Sequence, residues 1–528
     1  MINRITLIAL LITFPLFMFS KNVNIRSAGA DDKGKKLNTK LINKTIADLS
    51  ANGGGTLYFP AGKFLTGPIK LKSNITIELA AGAVLLFSDN FDDYLPFVEM
   101  RYEGVVMKSF SPLFYAADEE NITIRGRGLI DGQGKKWWDE FYRVLVDLQK
   151  NGVKDLNKYQ PLWDKENDLE ALYNQTNEDY VNTLKRRFFR PPLFQPIRCK
   201  NILIEGVKIV NSPFWTVNPE FCQNVTVKGV TIINPTSPNT DGINPSSCKD
   251  VHISDCHISV GDDCITLKSG RDLQGRNYAT PCENITITNC TMLAGHGGVV
   301  IGSEMSGDVR KVAISNCVFD GTNRGIRIKS TRGRGGIVEE IRVSNVVMKN
   351  IKDEAIILNL YYSKMPQEEI SDRTPIFRNI HVSNLTGSNV NTAVKILGLE
   401  EMPVSEISLN NINIQSKEGV IIDRAKNITL KDVCVDSSIG IPFNIANGEN
   451  VMLSNVWTAV PNAEKPLIRL ADSNGVFVQG CFPLAGNNAF LRLDGDNKEI
   501  ILMNNYLKRL PKIVDETGSG SQENLIIQ

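Results

Sequence analysis

Three aspartates and three other charged or titratable residues, close together in the chain, have the types needed for acid–base chemistry on an acidic substrate. They lie in Asn239-Thr240-Asp241-Gly242, Gly261-Asp262-Asp263-Cys264, Gly295-His296-Gly297 and Arg327-Ile328-Lys329. Three crowded carboxylates cannot all ionise freely. At least one pKa should rise, leaving a protonated acid beside charged bases. Cleavage of a glycosidic bond needs that pairing, with one acid for the leaving oxygen and one base for water or one nucleophile. His296 would hold the acid's hydrogen-bond network. Arg327 and Lys329 are two residues apart and share one strand face, and two cations side by side suit a sugar carboxylate. Each motif alone reads blandly, the Asp pair as a turn and the Arg-x-Lys as an exposed face. Their conjunction at regular spacing carries the weight.

A repeat must position these residues. It reads NILIEGVKI from Asn201, NVTVKGVTI from Asn224, DVHISDCHI from Asp250 and NITITNCTM from Asn284. Looser copies begin at Lys311, Glu340, Asn379, Glu406, Asn427, Asn450, Gly475 and Glu499, with earlier ones at Asn74 and Asn121. Each copy has two short alternating apolar stretches, which bury one face and cannot stand alone. Five residues after each start from Asn201 onward stands Gly206, Gly229, Asp255, Asn289, Asn316, Asn345, Asn384, Asn411, Asp432, Asn455, Gly480 or Asn504. These are the residue types that tolerate positive φ. Short strands with one bend at fixed phase specify an all-β fold, a right-handed parallel β-helix. A leucine-rich horseshoe lacks support, because its leucine pattern and helical half are missing. Asp241 and Asp262 are 21 residues apart, about one coil. His296 and Arg327 follow at about one coil each, so the set should stack on one face, with a rise of roughly 4.8 Å per coil. Consecutive Asp262 and Asp263 would point apart in a regular strand. A strand end or bulge at Gly261 is therefore expected.

The rest of the chain fits a single domain. Residues 1–20 read as a signal peptide, with Arg4 before the apolar run from Ile5 to Phe19. Residues 21–110 are the N-terminal cap and first coils. There Asn38-Thr39 is expected to cap a helix carrying Leu41, Ile42, Ile46 and Leu49, which stops at Gly53-Gly54-Gly55. Residues 111–515 form the β-helix proper, with a partly helical insertion at about 138–192. That insertion either folds over the cleft or decorates the surface. In it Phe141, Val144, Leu145 and Leu148 have helical spacing, as do Leu169, Leu172 and Tyr173, and Arg186, Arg187 and Arg190 stand near its end. Residues 516–528 read as a frayed tail. Eight of the ten cysteines fall at two repeat phases and suit stacked core positions rather than disulfides. With 59 Lys+Arg against 58 Asp+Glu, the chain has no charge surplus for nucleic acid. No segment after the signal is apolar enough to span a membrane, and no metal or cofactor is expected.

The ordered set NTDG, GDDC, GHG and RIK resembles the polygalacturonase family, glycoside hydrolase family 28. The likeness is close from Asn201 to Ile351. The segment from GADDKGKKLNT to KSNITI looks like the N-terminal section of pectin-active β-helices. The resemblance implies hydrolysis of α-1,4-galacturonosyl linkages with inversion and without a metal. It implies Asp262 as general acid, Asp241 and Asp263 as the pair activating water, and His296 as support for the acid. Asn239, Arg327 and Lys329 would bind substrate together with Tyr361 or Tyr362, and the implied partner is a pectic polysaccharide or oligogalacturonide. The stretch LKSGRDLQGRNYATPC looks like bacterial exo-acting members. A lyase-type β-helix using Ca²⁺ and a non-catalytic β-helix are the alternatives. Homogalacturonan, xylogalacturonan and rhamnogalacturonan all stay open as substrates.

Overall fold

A computed structural model describes residues 21–151, 158–168, 171–172, 188–515, 518–519 and 523–528. The expected signal segment lies outside the described residues, as do Leu169, Tyr173, Arg186 and Arg187. The repeats become coils. Ile202, Val225, Val251, Ile285, Val312, Ile341, Ile380 and Ile407 form one parallel column, residue over residue. Ile209, Ile232, Ile258 and Met292 form a second. A third runs Ile265, Val299, Ile326, Ile356, Val394, Val420, Phe443 and Ile468. All these pairings are parallel, and crossovers between parallel strands are right-handed. The product is a right-handed parallel β-helix whose inward residues fill one continuous core.

The twelve bend positions all have positive φ, between 50° and 74°. The first residue of each repeat does too, at 52° to 66°, so each coil from Asn201 onward has two left-handed residues at these phases rather than one. The second bend escaped the sequence because Lys311, Glu340, Glu406 and Glu499 occupy it in four coils, and these types rarely adopt that conformation. Stacked side-chain amides lock the bends together. Asn345 Nδ2 donates to Asn316 Oδ1 (3.2 Å), Asn384 to Asn345 (3.2 Å) and Asn411 to Asn384 (2.8 Å).

The helix Thr39–Ala51 covers the first coil with Ile42, Ile46 and Leu49, while Leu41 is only partly buried. Asn38 precedes it but does not cap it through its side chain. That amide instead ties the backbone of Asp31 and Leu65 (2.8–3.2 Å). The tail is not wholly frayed. Leu525–Ile527 adds a last strand on Ile500–Leu502, because its apolar run continues the column. All ten cysteines are buried and unbridged.

The insertion helix Lys135–Asn151 starts before Trp138. Trp137 in its first turn is fully buried against Phe91, Tyr94, Phe110 and Phe188. Leu145 is exposed and falls off the buried stripe. A second helix, Gln160–Glu166, buries Trp163. Both pack beside an antiparallel hairpin, Val98–Tyr102 with Val105–Ser109, which nothing in the repeat foretold.

Alanine at Asn345 must hold a left-handed conformation that costs roughly 1–2 kcal/mol, and it also breaks the amide ladder. Asn345→Ala should lower the urea midpoint clearly, and Asn345→Gly should lower it much less. Equal midpoints for the two variants would reject the strained-bend account.

Candidate active site

Asp241, Asp262, Asp263, His296, Asn239, Arg327, Lys329 and Tyr362 line one cleft of about 480 Å³ on the outer face of the third column. Ile243 pairs with Ile265, and Gly242 N–H donates to the Asp263 carbonyl (3.0 Å). That ladder stacks Asp263 directly on Asp241. Asp262 and Asp263 sit between the strands His257–Ser259 and Ile265–Leu267, next to a register shift at Ile258/Ser259. Gly261 allows this turn, since a Cβ there would collide with the backbone of Ser237 and with Thr240. The consecutive aspartates are thus freed from strand alternation.

His296 stands one coil above Asp262. Its N–H donates to the Asp262 carbonyl (2.9 Å), and its Nδ1 shares a hydrogen bond with Asp262 Oδ1 (2.9 Å). Arg327 does not stack on His296, because the ladder sets it opposite Val300. It still reaches Asp263 (3.4 Å), as does Lys329 (2.8 Å). Gly297 lies beside them, where a Cβ would collide with Val300 Cγ2 and crowd Asp263 Oδ1 (3.3 Å). Tyr362 faces Lys329 and Arg327 with its ring (5.2 and 5.7 Å). Tyr361 does not line the cleft. It packs against the core and under Arg332 (5.4 Å), because its neighbour takes the outward direction.

The electrostatics separate the three carboxyls. Asp241 is 2 % exposed, and burial first, then the Asp262 charge, pushes its carboxyl well above the usual range. Burial alone would raise Asp263 too, but Lys329 and then Arg327 outweigh it and hold the carboxyl below the usual range. The hydrogen bond to Asp262 raises His296 above its usual 6.5. Burial thus disfavours charge on Asp241 while two cations favour it on Asp263. Asp262 lies at the cleft mouth with 18 % of its side chain exposed.

The model of glycosyl hydrolases family 28 matches residues 182–434, and a rhamnogalacturonase A/epimerase, pectate lyase-like model matches 22–128. A probable polygalacturonase of Vitis vinifera is 31% identical over 397 residues, 73% of this chain and 72% of that protein. The chain belongs to glycosyl hydrolase family 28. An endo-polygalacturonase of Pectobacterium carotovorum subsp. carotovorum is 30% identical, over 70% of this chain and 81% of its own. The crystal structure of a hyperthermoactive exopolygalacturonase from Thermotoga maritima superposes with a TM-score of 0.68 at 34% identity, covering 83% of this chain and 91% of that one. Family membership makes the chain a polygalacturonase-type hydrolase of O-glycosyl bonds in pectin.

Several cleft residues escaped the sequence reading. Asn244 donates to Asp241 Oδ2 (2.9 Å) and sits three residues past it in the same motif, a spacing that could have flagged it. Lys268 and Glu304 form a buried pair (2.8 Å). Arg190, at the end of the insertion, donates to Asn239 Oδ1 (2.8 Å) and to the Pro213 carbonyl (3.0 Å) while stacking on Phe141 (4.1 Å). Lys268 falls in the LKSG stretch and Arg190 at the insertion's end, but nothing local gave these residues or Glu304 their partners, which are distant in sequence.

Replacing Lys329 by Met removes the first charge holding Asp263 down. The acidic limb of the kcat/KM–pH profile of Lys329→Met should move to higher pH, because Asp263 then protonates more readily. An acidic limb unchanged from wild type would separate Asp263 from that limb.

Proposed function

We propose that this chain is an exo-acting polygalacturonase that cleaves α-1,4-galacturonosyl linkages by inverting acid–base hydrolysis. One observation carries the exo reading: the hairpin Val98–Ser109 walls one flank of the cleft. Glu103 at its tip lines the cleft, and Gly104 beside it packs so closely on Arg271 and Glu304 that a Cβ would lie 3.1–3.2 Å from them. The insertion braces the hairpin. Trp163 Nε1 donates to Ser109 Oγ (2.9 Å), and Asn167 exchanges two bonds with the Lys108 backbone (2.7 and 2.9 Å). The hairpin's inner end is fixed by buried Arg101, which pairs with Glu220 (3.0 Å) and bonds Ser246 and Ser247. A wall anchored at both ends lets a chain terminus enter and stops a long chain from passing.

In this reading Asp262 protonates the leaving oxygen, and His296 supplies the proton through their shared bond. Asp263, kept ionised by Lys329 and Arg327, is the base. Asp241, whose burial disfavours its charge, orients the attacking water. Arg327, Lys329, Tyr362 and Asn239 bind the substrate. A Ca²⁺-dependent lyase fits poorly, since the Asp263 oxygens a cation would need are already bonded to two cationic side chains.

Purified enzyme on polygalacturonate should release monomer from the start, with activity unaffected by chelator and abolished in Asp262→Asn. A ladder of intermediate oligomers would reject exo action, and an unsaturated, UV-absorbing product would reject hydrolysis. We also propose that the enzyme is exported through residues 1–20. Among the described residues no helix is long and apolar enough to cross a membrane. N-terminal sequencing of the exported chain should begin near residue 21, and a chain still starting at Met1 would overturn the assignment.

A further inference from the structure

Lys268 lies outside the four motifs that carry the family likeness, yet its side chain, only 5% exposed, lines the catalytic cleft. An ammonium has three N–H donors. This one gives a single hydrogen bond, to Glu304 Oε2 (2.8 Å), and rests over the Trp215 ring (4.4 Å). A buried charge with unused donors is costly unless something else accepts from it.

Its place in the ladder shows what that acceptor is. Leu267 pairs with Ile301, and Ile301 with Ile328. One residue further on, Lys268, Gly302 and Lys329 form a single outward column. The middle member has no side chain and backs closely onto the Lys329 carbonyl. The two lysine side chains therefore leave the backbone two coils apart, about 10 Å, and both line the cleft that holds the aspartates. Lys329, with Arg327, marks one side of the reacting centre. Lys268, over Trp215 in the column of Asp241, marks the other. Glu304 is not free to drift, since Ser303 Oγ donates to it (3.1 Å) and Arg334 lies 3.8 Å away. Its bond thus fixes the ammonium's position and leaves the other donors for the cleft.

We propose that Lys268 takes the carboxylate of a second galacturonate, on the sugar across the scissile bond from the one held by Arg327 and Lys329. This deepens the galacturonan-hydrolase reading and rests on it. The substrate is then a run of adjacent galacturonates with free carboxylates on both sides of the cut. A backbone alternating acidic and neutral sugars fails at one of the two subsites, and so does a methyl ester at either.

The test uses full-length enzyme and homogalacturonan methyl-esterified at random to several degrees. If each required carboxylate contributes one factor of the free-acid fraction, initial rate follows a power of that fraction. Lys268→Met should lower the power by one relative to wild type. On half-esterified substrate, the rate relative to unesterified substrate is then about twofold higher in the variant than in wild type. Lys268→Arg should restore the wild-type power. The double variant Lys268→Gln, Glu304→Gln removes the ammonium without stranding a buried carboxylate, and should lose one power as well. If these neutral variants keep the wild-type power, whatever their absolute rates, Lys268 is a packing residue and the proposal is overturned. Failure of the wild type to release reducing ends from unesterified polygalacturonate would instead overturn the galacturonan reading beneath it.

Discussion

Each coil from Asn201 onward has two residues in the left-handed region, and the catalytic face stands on the regularity this imposes. Because the bends recur at fixed phase, side chains 22, 34 or 27 residues apart become vertical neighbours, as in Ile243, Ile265, Val299 and Ile326. The uneven coil lengths are absorbed elsewhere. The segment after Leu267, with its helix Asp272–Tyr278, lengthens one coil without disturbing the ladder. Asparagine suits the bends twice over, since it tolerates positive φ and its amide bonds the amide above. The acid–base cluster therefore needs no flexible loop to assemble it.

Within that frame, glycines decide which side chains meet. Gly261 lets Asp262 and Asp263 leave the strand together. Gly297 gives way to Val300 beside Asp263, and Gly302 lets its coil close onto the Lys329 carbonyl. Each stands where a Cβ would strike a neighbour.

Much of this was legible in the chain itself. Alternation and turn residues declared the solenoid, and coil spacing brought Asp241, Asp262, Asp263 and His296 to one face. The reading fell short where geometry departs from simple stacking. Arg327 reaches Asp263 diagonally rather than standing over His296, so both cations pair with a carboxylate of the cleft. The raised carboxyl is Asp241, a matter of burial that spacing cannot report. Tyr361 and Tyr362 were indistinguishable in sequence, and the turn after the strand ending at Asn359 sends one to the core and the other to the cleft. The hairpin, Lys268–Glu304 and Arg190–Asn239 depend on contacts between residues distant in the chain, and no periodicity announces such contacts.

The ten buried cysteines bear on how such a chain reaches its folded state. Eight of them take places that valine fills in other coils, and none of the ten is bridged. Coil-on-coil contact rather than covalent linkage carries the cohesion. No disulfide closes these coils, so a reductant finds no bridge among the ten to cut. Thiols so deeply enclosed are also screened from oxidation and metal capture. A protein built this way can be produced in a reducing compartment and used in an oxidising one without any chemical step between.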